Sequence, residues 1–145
     1  MSYNTAAVAA ELVSILSGLS GIGAAQIGSP ESIGVKVSAY VTMGGQSAIR
    51  KATGLAQREI RFYCLFAYRV EGAEATAETT LMGLVDAFMN AIDADLTLNG
   101  TVPGVVSVDS SAADEPEYQL RAGKEYREYP VIVTVVQRDS YTVNP

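Results

Sequence analysis

The sequence predicts an α+β fold: an antiparallel or mixed β-sheet with two helices packed on it and a long loop in the first β-hairpin. Three observations predict it. Two segments, 4–19 and 73–95, carry apolar residues at three- and four-residue steps, whereas several others alternate apolar and polar residues. The order reads α-β-β-α-β-(β)-β, with no repeat and no internal linker, which favours helices collected on a sheet over a regular βαβ array. At 145 residues and 15.3 kDa, the chain suits one domain over 1–145, large enough for a core without disulfides or metal.

Residues 4–19 open the fold as an amphipathic helix. Asn4 or Thr5 can cap it, and Val8, Leu12, Ile15, Leu16 and Leu19 form one apolar stripe. The glycines of "GLSGIGAAQIG" stop the helix and lead into a turn, followed by the turn cluster "GSPES" at 28–32. From Ile33 the period becomes two. Val35, Val37, Ala39, Val41 and Met43 alternate with Lys36, Ser38, Tyr40 and Thr42, and alternation resumes with Ile60, Phe62, Cys64, Phe66, Tyr68 and Val70. These two strands are expected to pair as a hairpin.

Between them lies "MGGQSAIRKATGLAQRE", which shows neither alternation nor a helical stripe. Hairpin loops usually need about two to five residues, so a segment of this length calls for a reason. The sequence predicts a mobile loop at about 44–58. Its glycines reduce local order, while Ile49 and Leu55 supply apolar anchors and Arg50, Lys51 and Arg58 supply charge for a partner.

The helix at 73–95 has an Ala-rich composition, Glu74 and Glu78 near its N-terminus, and the stripe Leu81, Val85, Phe88, Met89 and Ile92. "NG" and "PG" then open a β region: a short strand at Val105–Val108, an acidic loop at 109–117 and a further strand at Tyr118–Ala122. "REYPVIVTVVQRD" supplies the last long strand, apolar enough on both faces to be central. An exposed tail is expected at about 140–145.

The chemistry is bounded by what is missing. With no histidine and one cysteine, the chain cannot build a Ser-His-Asp or Cys-His relay, an internal disulfide or a Cys-cluster metal site. Cys64 falls on the apolar side of its strand, as a small buried hydrophobe would. Neither "GLSGIGAAQIG" nor "GGQSAIRKATG" meets the context of a dinucleotide or phosphate loop. No catalytic residue, cofactor or metal is expected. The apolar runs are too short to span a bilayer, and the opening residues lack the basic segment of an export signal. A soluble protein in a reducing compartment is the expectation.

Net charge is −6, unevenly placed. Residues 36–69 hold six basic residues and one acid, +5, and the remainder holds four basic and fifteen acidic residues, −11. Such a split can steer an anionic partner or a complementary copy. Tyr118, Arg121, Tyr126 and Arg127 mix aromatic and basic character in a second candidate interface. Glu117, Glu125 and Glu128 among them favour protein over nucleic acid.

The strand "REIRFYCLFAYRVEG", the helix "AEATAETTLMGLVDAFMNAI" and the terminal "REYPVIVTVVQRDSY" give the chain an architecture that resembles the tail-terminator and neck (head-tail joining) proteins of long-tailed bacteriophages. The resemblance implies a structural virion protein, assembled in the host cytoplasm into a hexameric ring. Its partners would be the tail-tube protein and a head-side connector protein, with DNA passing nearby in the channel. In such a ring the basic loop would order against a neighbouring subunit or the tube. The alternatives are another connector ring, a tail-tube subunit, or a small nucleic-acid-binding domain.

Overall fold

The computed structural model describes residues 4–30, 36–50, 55–70, 74–95, 98, 105–112, 117–121 and 123–140. In chain order they form α1 (Thr5–Ser17), β1 (Ile22–Ile27), β2 (Val37–Arg50), β3 (Leu55–Arg69), α2 (Glu74–Asp93), β4 (Val105–Ala112), β5 (Glu117–Arg121) and β6 (Lys124–Ser140). The strands make one mixed six-stranded sheet in the order β1-β2-β3-β6-β4, with β5 also paired to β6. β1 lies parallel to β2, and the other pairs are antiparallel. The expected α+β sandwich is the architecture found.

Both helices pack on the same face of the sheet. Asn4 caps α1 by accepting the Ala7 amide at 3.0 Å, and the helix buries Val8, Leu12 and Leu16. α2 buries Leu81, Leu84, Val85, Phe88 and Ile92. Opposite them stand Val37, Ala39 and Val41 of β2, Ile60, Phe62, Cys64 and Phe66 of β3, and Val131, Val133 and Val135 of β6. Phe66 and Phe88 meet edge to face, with centroids 5.7 Å apart and planes at 66°. The period-two and period-3.6 patterns thus converge on one core, and β6 runs between β3 and β4 as its two apolar faces required.

Three expectations are corrected. First, "GLSGIGAAQIG" contains a strand. β1 shows little side-chain alternation because parallel pairing with β2 and the cover of α1 hold it in place. A Cβ on Gly23 would come within 2.6 Å of the Lys36 Cβ, so glycine permits the close approach of these strands.

Second, the long loop at 44–58 is mostly sheet. β2 continues to Arg50 and β3 begins at Leu55, with pairs from Gln46↔Ile60 to Arg50↔Ala56. Only 51–54 lie outside the described residues. The alternation is hidden by a β-bulge between Met43 and Gln46, where one extra residue on β2 switches which parity faces the helices. Gly44 sits in that bulge because Tyr63 leaves no room for a side chain: an added Cβ would lie 2.8 Å from its ring.

Third, the acidic loop expected at 109–117 is shorter. β4 runs on to Ala112 and β5 starts at Glu117, and 113–116 lie outside the described residues. Ser140 still belongs to β6, and the remainder of the expected tail, 141–145, lies outside them too.

Candidate functional site

The two faces of the sheet define the surfaces available for binding. One is covered by helices. On the other, no described element lies over Tyr63, Leu65, Pro130, Ile132, Thr134 and Val136, which are half-buried or exposed where β3 and β6 pair. Toward one end of this face Tyr40, Ala67 and Tyr126 form a small second cluster, backed by Leu65. The Tyr40 hydroxyl donates to Glu128 Oε2 at 3.1 Å, and that carboxylate is itself buried. A buried acid with a phenolic donor is a satisfied structural group.

β2, β3 and β6 are long strands of 14, 15 and 17 residues. Their paired ends carry the hairpin tip and the end of β6 together, with Arg50 opposite Ala56 and Leu55 opposite Ser140. The backbones of Ile49, Arg50 and Leu55 lie in this arm, their side chains lie outside the described residues, and so does all of Lys51.

Arg58 serves the subunit itself. Its guanidinium donates from Nη2 to the Thr5 hydroxyl at 2.8 Å and from Nη1 to Gln46 Oε1 at 3.3 Å, tying β3 to the start of α1 and to β2. The basic segment of the sequence is also dispersed in space. Arg58 lies on the helix face, whereas Arg61 and Arg69 belong to the opposite face at different heights.

The second predicted cluster separates in the same way. Tyr118 and Arg127 pair across β5 and β6, with the guanidinium 4.4 Å from the Tyr118 ring centre. Arg127 Nε also donates to Glu78 of α2, forming an ion pair that ties the β5–β6 hairpin to the start of that helix. Tyr126 is buried on the other face and offers no surface to a partner. Arg121 pairs through its backbone with Lys124, and its side chain lies outside the described residues.

A feature that sequence reasoning missed is an apolar groove of about 530 Å³ between the start of α1 and the sheet. Thr5, Ala6, Ala9, Ile27, Val41, Met43 and Phe62 line it. Ile27 and Met43 remain 57% and 53% exposed at its rim, although each was legible as an apolar residue. What hid the groove was the unrecognised β1.

Among the described residues no group of three or more His, Cys, Asp or Glu is placed to hold a metal ion, and no helix is long and apolar enough to cross a membrane. Cys64 is fully buried, and burial pushes its thiol well above the ordinary cysteine range, the reverse of activation for nucleophilic attack. The fold and these surfaces define a two-layer α+β protein with one sheet face that no described element covers and a separate apolar groove. Neither a scan against protein-family models nor a search of curated proteins gives a match to the chain.

Proposed function

We propose that this protein is a structural subunit of the tail-terminator or neck class. In this reading it assembles as a hexameric ring that caps the tail tube and offers a surface to the head-side connector. The single structural observation that carries the reading is the uncovered face: Tyr63, Leu65, Ile132 and Val136 make a broad, partly apolar surface with no described element over it. Surfaces of this kind are favoured sites of protein association. The sequence resemblance supplies the class and the ring.

Within this proposal Ile49, Arg50, Lys51 and Leu55 contact a neighbouring subunit or the tail tube. Arg58 and Tyr126 maintain the subunit's own structure. The protein works by shape and contact, without catalysis, and its place is the virion tail.

Native mass spectrometry of the purified protein, followed by imaging of tail particles, tests the proposal. A ring of six 15.3 kDa chains has a mass of about 92 kDa. A protein that stays monomeric at high concentration and forms no ring in tails overturns it. Binding to DNA that falls steeply with salt, in the absence of a ring, favours the nucleic-acid-binding alternative.

A further inference from the structure

The groove beside α1 exists because the sheet narrows there. β1 accompanies β2 only as far as Ile27 opposite Val41, whereas β2 runs on to Arg50. The first turns of α1 overhang this step through Thr5, Ala6 and Ala9, and Phe62 of β3 completes the wall. Its volume of about 530 Å³ falls within the range of about 300–1,000 Å³ usual for small-molecule sites. At the rim, Ile27 and Met43 are each more than half exposed, so a ligand that covers them removes hydrocarbon from water.

The polar groups of the groove select the kind of molecule that fits. Thr42 pairs with Tyr63 and turns its side chain to the opposite face of the sheet, which leaves Thr5 as the hydroxyl on the groove wall. The Thr5 oxygen accepts from Arg58 Nη2 at 2.8 Å, and among the described residues no acceptor takes its proton. A hydroxyl polarised by a guanidinium donates more strongly, and the fixed positive charge behind it favours an anionic acceptor over a neutral one. None of the lining residues is acidic.

We propose that the groove binds one free fatty acid of medium chain length, with its carboxylate at the Thr5 hydroxyl and its hydrocarbon chain along Ala9, Ile27, Val41, Met43 and Phe62. A flexible saturated chain follows the contour of such a wall and presents no polar atom to it, so nothing is buried without a hydrogen bond. Arg58 is a positioning residue here: it holds and polarises Thr5 while remaining part of the subunit's own structure. The groove is separate from the sheet face proposed to associate, and the inference does not rest on the ring reading.

The test titrates the full chain with decanoate, kept below the concentration at which the acid forms micelles. Methyl NMR signals of Ala6, Ala9, Ile27, Val41 and Met43 are expected to shift saturably, with one acid bound per chain. Octanoate should bind about tenfold more weakly, since each buried methylene contributes about fourfold in affinity. Decanol keeps the chain but lacks the charge, and should also bind about tenfold more weakly. Thr5→Val should weaken decanoate about tenfold while changing decanol by about twofold or less, and Thr5→Ser should restore decanoate binding. Met43→Glu, at an exposed position, should abolish decanoate binding in a protein whose circular dichroism is unchanged.

No saturable shift below the micellar concentration, or equal affinity for decanoate and decanol, overturns the inference. So does decanoate binding that survives Met43→Glu, which puts the acid elsewhere on the molecule. Groove signals that move with protein concentration alone show a second copy in the groove, and signals that move only with phosphatidylcholine vesicles show a membrane contact. Either result also overturns it.

Discussion

The two faces of the sheet are built from the same strands but follow different rules. Toward the helices, Phe62, Cys64, Phe66, Val131, Val133 and Val135 are buried against Leu12, Leu16, Leu81 and Phe88, a continuous apolar contact. Away from them, alternate residues of the same strands give Arg61, Tyr63, Leu65, Ala67, Ile132 and Thr134, with burial concentrated around Tyr40, Tyr126 and Glu128. The first face holds the subunit together, chiefly by removing hydrocarbon from water. The second carries the buried Tyr40–Glu128 hydrogen bond at one end, and no described element lies over the rest. The lesson is that a strand's two parities can be assigned separate tasks, stability on one side and, in the proposed reading, association on the other.

Truncating the helix-side core should have the largest effect on stability. Phe88→Ala removes the edge-to-face partner of Phe66 and should cost about 3–5 kcal/mol, read by urea or guanidinium unfolding. A cost under about 1 kcal/mol would break the comparison, because the helix layer would then contribute little.

Tyr40→Phe tests the polar end of the other face. It removes the donor to a buried Glu128 oxygen and should destabilise by about 1–3 kcal/mol, with less effect in a Glu128→Gln background if the two groups act as a pair.

Alkaline pH sharpens the contrast through Cys64, a helix-face residue. Its folded pKa is raised by burial, so the thiol's contribution is complete below the ordinary value near 9.0 and is lost as pH rises above it, where only the unfolded chain ionises. Each pH unit beyond that value should remove about 1.4 kcal/mol through this residue. Cys64→Ala should abolish that part of the slope, measured as the difference between the unfolding curves of the two proteins.

The smallest stability change is expected from Tyr63→Glu on the open face, about 1 kcal/mol or less. Its effect on assembly should be large, because it places a carboxylate in the surface proposed to associate. Native mass and circular dichroism together read both consequences. A variant that folds and assembles normally would show that this face is not the associating one.

Much of this division was legible in the sequence. The stripe from Leu81 to Ile92 and the alternation from Ile60 to Phe66 identified α2, β3 and the face that each buries. β1 was not legible because its residues, Ile-Gly-Ala-Ala-Gln-Ile, express neither period clearly; its strand form follows from backbone pairing and a close approach at Gly23. The far half of the hairpin was hidden by the bulge at Gly44, since a one-residue insertion inverts the pattern that a period-two reading depends on. The candidate sites suffered from distances along the chain that sequence cannot show. Arg58 finds Thr5, Arg127 finds Glu78, and Glu128 finds Tyr40, so residues that read as free surface charge are engaged within the subunit.

The position of β6 also sets the order of folding events. β3 can pair early with its neighbour β2, but Phe62 meets Val133, a residue 71 positions later, and among the described residues β4 and β5 pair only with β6. During synthesis the nascent chain therefore carries a hairpin and two helices whose shared core cannot close before β6 leaves the ribosome. Such non-local closure belongs to the slower regime of single-domain folding, about milliseconds to seconds. Completion of β6 thereby acts as a timer: the strand that joins β3 to β4, and with it both faces of the sheet, comes into being only after every other described strand has been made.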